Sequence, residues 1–199
     1  VAGRVYFVGA GPGDPGLLTI KGQQLLAAAD VIIYAGSLVN PALLVYARPD
    51  ASLYDSARMK LAEQIEVMQT AVAKGQIVVR LHTGDPSIFG ATLEQMRELD
   101  RLGIGYEIIP GVSSAFAAAA ALAIELTVPQ STQTVILTRV GGQTPVPESE
   151  NLRRLAAHRT SLVVFLSAGM LERVVDELKA AGYADETPIA VVSRASWPD

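Results

Sequence analysis

Two places in this sequence carry the same short element, glycine, aspartate, proline: Gly13-Asp14-Pro15 and Gly84-Asp85-Pro86. Each lies just beyond a short apolar run, Arg4 to Gly9 and Ile77 to Leu81. Glycine lets a backbone approach a ligand closely, and the aspartates add negative charge. The stretch from Gly11 to Gly16 also has the GxGxxG spacing of dinucleotide-binding loops. Its chemistry opposes a diphosphate. Pro12 and Pro15 remove two N–H donors, and Asp14 puts a carboxylate where phosphate oxygens would sit. The acid that should end the next strand, about 20 residues on, is absent; Asp30 precedes that strand instead. No Gly-Lys-Ser/Thr element follows, so a P-loop is excluded. Close backbone with two carboxylates suits a ligand bearing hydroxyls and positive charge, as S-adenosylmethionine does. The ordinary alternatives are a tight turn without a ligand and, for Asp85, an Asx-type turn.

Other reactive groups are few. The absence of cysteine excludes thiolate zinc sites and cysteine nucleophiles. His82 and His158 are the only histidines, so no metal centre is expected. By loop position, Asp85 and His82 are the candidates for a base; His82 fits better as a strand-end residue with a structural hydrogen bond.

The elements that must position these loops alternate strand and helix. Strands are expected at Arg4 to Gly9, Val31 to Tyr34, Ile77 to Leu81 and Tyr106 to Ile109. Helices are expected at Thr19 to Ala29, Met59 to Lys74, Ala91 to Leu102 and Ser113 to Ala123, with Ser113 or Ser114 as N-cap. After Pro129 the pattern restarts. Strands are expected at Thr134 to Leu137, Ser161 to Leu166 and Ile189 to Val192, and helices near Asn151 to Ala157 and Leu171 to Ala181. The plan is two α/β domains, 1–123 and 124–199. In a parallel sheet the loops at the carboxyl ends of strands share one edge, where ligands bind. The two Gly-Asp-Pro elements should share that edge.

The net charge of −4 argues against a nucleic-acid partner. No apolar run approaches the roughly 20 residues that span a bilayer, and no signal peptide is recognisable, so a cytoplasmic enzyme is expected. The chain lacks an initiator methionine and stops soon after an expected strand. Both ends, and the second domain above all, are expected to be incomplete.

Three segments together resemble the tetrapyrrole methylase family: Val8 to Pro15 with Leu18-Thr19 and Lys21-Gly22, then Arg80 to Gly90, then Pro110-Gly111-Val112-Ser113-Ser114. The resemblance covers the whole chain in order. It implies two α/β domains with S-adenosylmethionine held between them, and methyl transfer to a carbon of a reduced tetrapyrrole. Tyr34 to Val39, His82 to Pro86, Thr132 to Arg139 and Thr144 to Glu148 imply carbon-11 of the ring in cobalamin biosynthesis. The implied cofactor contacts are Pro12, Thr83, Gly84, Asp85, Ile88, Ser113, Ser114, Leu166 and Ala195. The tetrapyrrole carries carboxylates, so Arg139, Arg58, Arg194 and Lys60, at element ends or in loops, are candidates to meet it. A homodimer is also implied. The rival readings are a methylase for another ring position, a nicotinamide-dependent dehydrogenase and a non-catalytic binding protein.

Overall fold

A computed structural model describes residues 3–36, 38–142 and 144–197. Ser37 and Gln143, which fall in expected motif and loop segments, lie outside the described residues, as do Pro198 and Asp199. The chain forms two compact units, one of Val1–Ala121 with Arg194–Asp199 and the other of Leu122–Ser193.

The first unit is built on five strands: β1 (Arg4–Gly9), β2 (Val31–Tyr34), β3 (Ser52–Asp55), β4 (Ile77–His82) and β5 (Tyr106–Ile109). They lie in the order β3-β2-β4-β1-β5, and every pairing is parallel. The helices are α1 (Ile20–Ala28), α2 (Leu61–Ala73), α3 (Thr92–Arg101) and α4 (Ser114–Ala121). Both sheet faces are covered, which is why β1, β2 and β4 read as near-continuous apolar runs. Val5, Phe7, Ile33 and Val78 pack with Ile65 and Met68 of α2 and Leu99 of α3. Val8, Ile32, Val79 and Leu81 pack on the other face with Leu26 of α1 and with Val39 and Leu43. The α/β plan expected from the alternating pattern is therefore the one observed.

β3 is not evident from the sequence. It is an edge strand whose residues Ser52, Leu53 and Tyr54 are exposed, so no apolar run marks it. β4 extends one residue further than expected and includes His82.

The second unit has β6 (Val135–Arg139) and β7 (Ser161–Phe165), paired in parallel, with α5 (Leu152–Ala156) and α6 (Leu171–Ala180). Its core is Val140, Leu152, Ala156, Val174 and Leu178. Arg139 is the last residue of β6 rather than its successor, and Leu166 falls just after β7. The strand expected at Ile189 to Val192 does not form. Ile189 and Val191 are exposed there, and a strand without a hydrogen-bonded neighbour has no ladder to complete. Residues 194–197, expected with the second domain, belong to the first unit, because their side chains bond to the loop after β1. Among the described residues no helix is long and apolar enough to cross a membrane, and no cluster could hold a metal ion.

Candidate functional site

The strand order creates the site. From β1 the chain crosses β4 to reach β2; from β4 it crosses β1 to reach β5. The connections leave neighbouring strands in opposite directions, and such a reversal opens a crevice at the carboxyl ends. Both Gly-Asp-Pro elements sit there, as their positions in the sequence suggested. The loops touch directly. Ala10 N–H donates to the His82 carbonyl at 2.6 Å, and Gly11 and Gly84 exchange hydrogen bonds of 3.2 and 2.8 Å.

Glycine is required at this junction. A Cβ on Gly9 would lie 2.5 Å from the Gly111 Cα and 2.7 Å from the Gly84 carbonyl oxygen. A Cβ on Gly111 would lie 2.7 Å from the Gly9 Cα and closer still to that oxygen. Three loops, after β1, β4 and β5, are thus in backbone contact.

The aspartates work inside this framework. Asp14 Oδ1 accepts from Gly16 N at 2.7 Å and caps the turn that follows. Asp85 Oδ1 accepts from the Ser87 N–H at 2.8 Å and from the Ser87 hydroxyl, while its Oδ2 accepts from Gly111 N–H at 2.9 Å. Burial raises the Asp85 pKa, but these bonds outweigh it and hold the carboxyl below its usual range. Asp85 is an ionised brace between two loops. The Asx-turn alternative describes it better than a free carboxylate awaiting a cation.

His82 and Arg80 share the face of β4 that carries Val78. The His82 ring lies 5.8 Å from that of Phe7. Burial, helped by the Arg80 charge and opposed by a backbone bond at Gly90, lowers its pKa to about 3. Arg80 is itself buried and donates to Gln95 Oε1 at 3.2 Å and to the Leu81 and Ile33 carbonyls at 3.1 and 3.4 Å. Burial lowers its pKa to about 10, so it stays charged. A neutral imidazole with so low a pKa is a poor base. Its Nε2 and the hydroxyl of the next residue, Thr83, are buried without a hydrogen-bond partner. Buried polar atoms are nearly always paired, so both point to a missing partner.

The other candidate residues of this unit gather around the same edge. Pro12 and Gly84 are buried and Ile88 half-buried in their loops. Ser113 is buried, and its hydroxyl accepts from Ala115 N at 3.3 Å at the start of α4; Ser114 is the first residue of that helix. Ala195 is half-buried in the segment that returns to the first loop. There the Trp197 indole N–H donates to the Pro12 carbonyl at 2.9 Å, and Asp14 N–H donates to the Ser196 hydroxyl at 3.0 Å. A Cβ on Gly13 would overlap the Trp197 ring. The buried Asn40 amide also donates to the Gly13 carbonyl at 2.9 Å.

Asn40, Ser196, Trp197 and Arg80 brace these loops and strands through hydrogen bonds and were not singled out from the sequence. Only Asn40 carries a local signal, since Asn before Pro favours a turn.

Among the arginines, Arg58 is exposed and 3.9 Å from Asp55, and Arg194 lies over the Trp197 ring at 5.5 Å. Lys60 is exposed at the start of α2. In the second unit, Leu166 is exposed with a left-handed backbone (φ 56°) just after β7. Arg139 lines a cavity there and donates to the Pro145 carbonyl at 3.3 Å.

Comparisons with known proteins give the family and the fold. Residues 4–199 match the family model for tetrapyrrole (corrin/porphyrin) methylases. The chain is 58% identical to the cobalt-precorrin-4 C(11)-methyltransferase of Methanocaldococcus jannaschii, over 98% of this chain and 76% of that protein. It is 50% identical to the same enzyme of Priestia megaterium, with the same coverage. The solved structure of a cobalt-precorrin-4 methyltransferase of cobalamin biosynthesis superposes with a TM-score of 0.95 at 49% identity, covering 98% of this chain and 82% of that one. A uroporphyrin-III C-methyltransferase from Thermus thermophilus, solved with S-adenosylhomocysteine, gives 0.74 at 32% identity over 91% of this chain and 73% of that one. With the motif loops placed at the sheet's reversal point and a family model matched over almost every residue, the chain belongs to the tetrapyrrole methylases.

Proposed function

We propose that this chain is an S-adenosylmethionine-dependent C-methyltransferase acting on carbon-11 of precorrin-4 or cobalt-precorrin-4 in cobalamin biosynthesis. The observation that carries the reading is the 58% identity, across 98% of the chain, to a relative of that name. The first unit fits the cofactor. The orphaned Thr83 hydroxyl offers a hydrogen bond to a ribose hydroxyl or an amino group. The three-glycine junction keeps side chains off the crevice floor. Pro12, Gly84, Asp85, Ile88, Ser113, Ser114 and Ala195 complete the contacts proposed for this unit, and Asp85 contributes by holding its loop in shape; Leu166 is proposed as a contact on the family resemblance alone.

When bound, S-adenosylmethionine supplies an electrophilic methyl on sulfonium, whose departure leaves a neutral thioether. The protein therefore needs no acid for the leaving group. Neither Asp85, engaged and ionised, nor His82, buried and neutral, is built to move a proton at neutral pH. The residues act by binding and orienting, which is worth up to roughly 7–11 kcal/mol of barrier. Arg139, Arg58 and Arg194 are proposed to meet the carboxylates of the tetrapyrrole. The resemblance to the family also leads us to propose a cytoplasmic homodimer, which sedimentation would test.

The deciding experiment supplies precorrin-4, with and without cobalt, and methyl-labelled S-adenosylmethionine. One methyl should be gained, and NMR should place it on carbon-11. Methylation at another carbon would move the enzyme within the family. Binding of NAD with no response to S-adenosylhomocysteine would overturn the reading.

A further inference from the structure

We propose that a cavity in the second unit is a carboxylate-binding subsite for the tetrapyrrole, with Arg173 as a second guanidinium beside Arg139. The inference rests on the proposed substrate class and adds a place and a residue to it.

The cavity opens beyond the carboxyl end of β6 and measures about 310 Å³. That volume is ample for a carboxyalkyl side chain and its hydration, a water occupying about 30 Å³. Its walls include Arg139, Gly141, Gly142, Asn151, Arg173 and Glu177. The donors come from separate elements. Arg139 ends β6, Arg173 lies in the first turn of α6, and Asn151 precedes α5.

The two arginines bond to backbone carbonyls of cavity-lining residues after β6. Arg139 donates to the Pro145 carbonyl at 3.3 Å, and Arg173 Nη1 donates to the Gly141 carbonyl at 2.7 Å. Arg173 commits one of its five N–H donors to that bond, and the rest of its planar fork remains to meet an anion. Asn151 Oδ1 accepts from Arg154 N at 2.9 Å, which leaves its amide N–H₂ as a further donor. This donor-rich wall suits a planar carboxylate, which arginine binds in bidentate fashion. Glu177, four residues on from Arg173, adds an opposing charge. It limits how strongly the subsite holds an anion, and its removal should strengthen binding.

The test uses Arg173→Gln, which removes the guanidinium and its charge and keeps a shorter polar amide. KM for precorrin-4 should rise about tenfold, the size expected for one lost charge-assisted contact, with kcat within about twofold. Affinity for S-adenosylhomocysteine should not change. Uroporphyrin III, a stable polycarboxylate, should bind about tenfold more weakly to the variant, while its methyl ester should bind both proteins alike. Inorganic phosphate should not compete; competition at low concentration would overturn the carboxylate assignment. Arg173→Lys should fall between wild type and Arg173→Gln, and Glu177→Gln should lower KM. Unchanged KM and unchanged uroporphyrin binding in Arg173→Gln, beside normal carbon-11 methylation by wild type, would sink the subsite and leave the function standing. Arg173-dependent uroporphyrin binding by a protein that methylates no tetrapyrrole would do the reverse.

Discussion

At the scale of single residues, the site is governed by groups that are held rather than free. His82 is buried and neutral, with its pKa lowered from 6.5 to about 3. Between those values the unfolded chain binds a proton that the folded protein refuses. Stability is therefore full above about pH 6.5 and falls as the pH drops, at most by about 1.4 kcal/mol per pH unit. Urea denaturation at several pH values should show that slope in wild type and a shallower one in His82→Gln. The pH profile of kcat should show no limb from His82 near neutrality. Asp85 behaves in the opposite sense to a catalytic base. Asp85→Ala removes the acceptor for Gly111 and Ser87 and should cost about 2–3 kcal/mol, while Asp85→Asn, which keeps one acceptor oxygen, should cost less. Equal losses, measured by denaturant midpoint, would argue against the brace. The sequence disclosed Asp85 but not its work, because Gly111 N–H lies 26 residues away and no local pattern encodes that bond.

At the scale of elements, the meeting of three strand ends carries the design. Gly111→Ala should clash with Gly9 and Gly84 and destabilise the protein by about 1–3 kcal/mol, the range for overpacking, with loss of S-adenosylhomocysteine binding by calorimetry. Gly105→Ala is the control. Nothing lies within 4 Å of its Cβ position, and both stability and binding should be kept. The buried strands β1, β2 and β4 were legible because sheets covered on both faces demand unbroken apolar runs. β3 escaped because an edge strand can be polar, as Ser52 to Asp55 is. The run at Ile189 to Val192 misled in the other direction: β-branched residues state a preference, but only a neighbouring strand makes the ladder.

At the scale of the whole molecule, the first unit is discontinuous in sequence, with the second unit inserted between Ala121 and Arg194. A boundary read along the chain finds where a pattern restarts, but not that its end turns back to the beginning. The return is fixed by Trp197 and Ser196, which grip Pro12 and Asp14. Trp197→Phe keeps an aromatic ring for Arg194 and removes the pyrrole half of the indole with its N–H. It should cost about 1–2 kcal/mol and weaken S-adenosylhomocysteine binding several-fold, as read by denaturation and calorimetry. Unchanged binding would mean that the grip serves stability alone. The same bonds have a consequence in time. The partners Pro12 and Trp197 stand 185 residues apart. At synthesis rates of about 5–20 residues per second, the loop emerges from the ribosome roughly 10–40 s before the tryptophan that fastens it. During that interval Asn40, the earlier-made partner of Gly13, is the tether from this set already available to the nascent loop. The final shape of the glycine loop thus waits on residues made long after the loop itself.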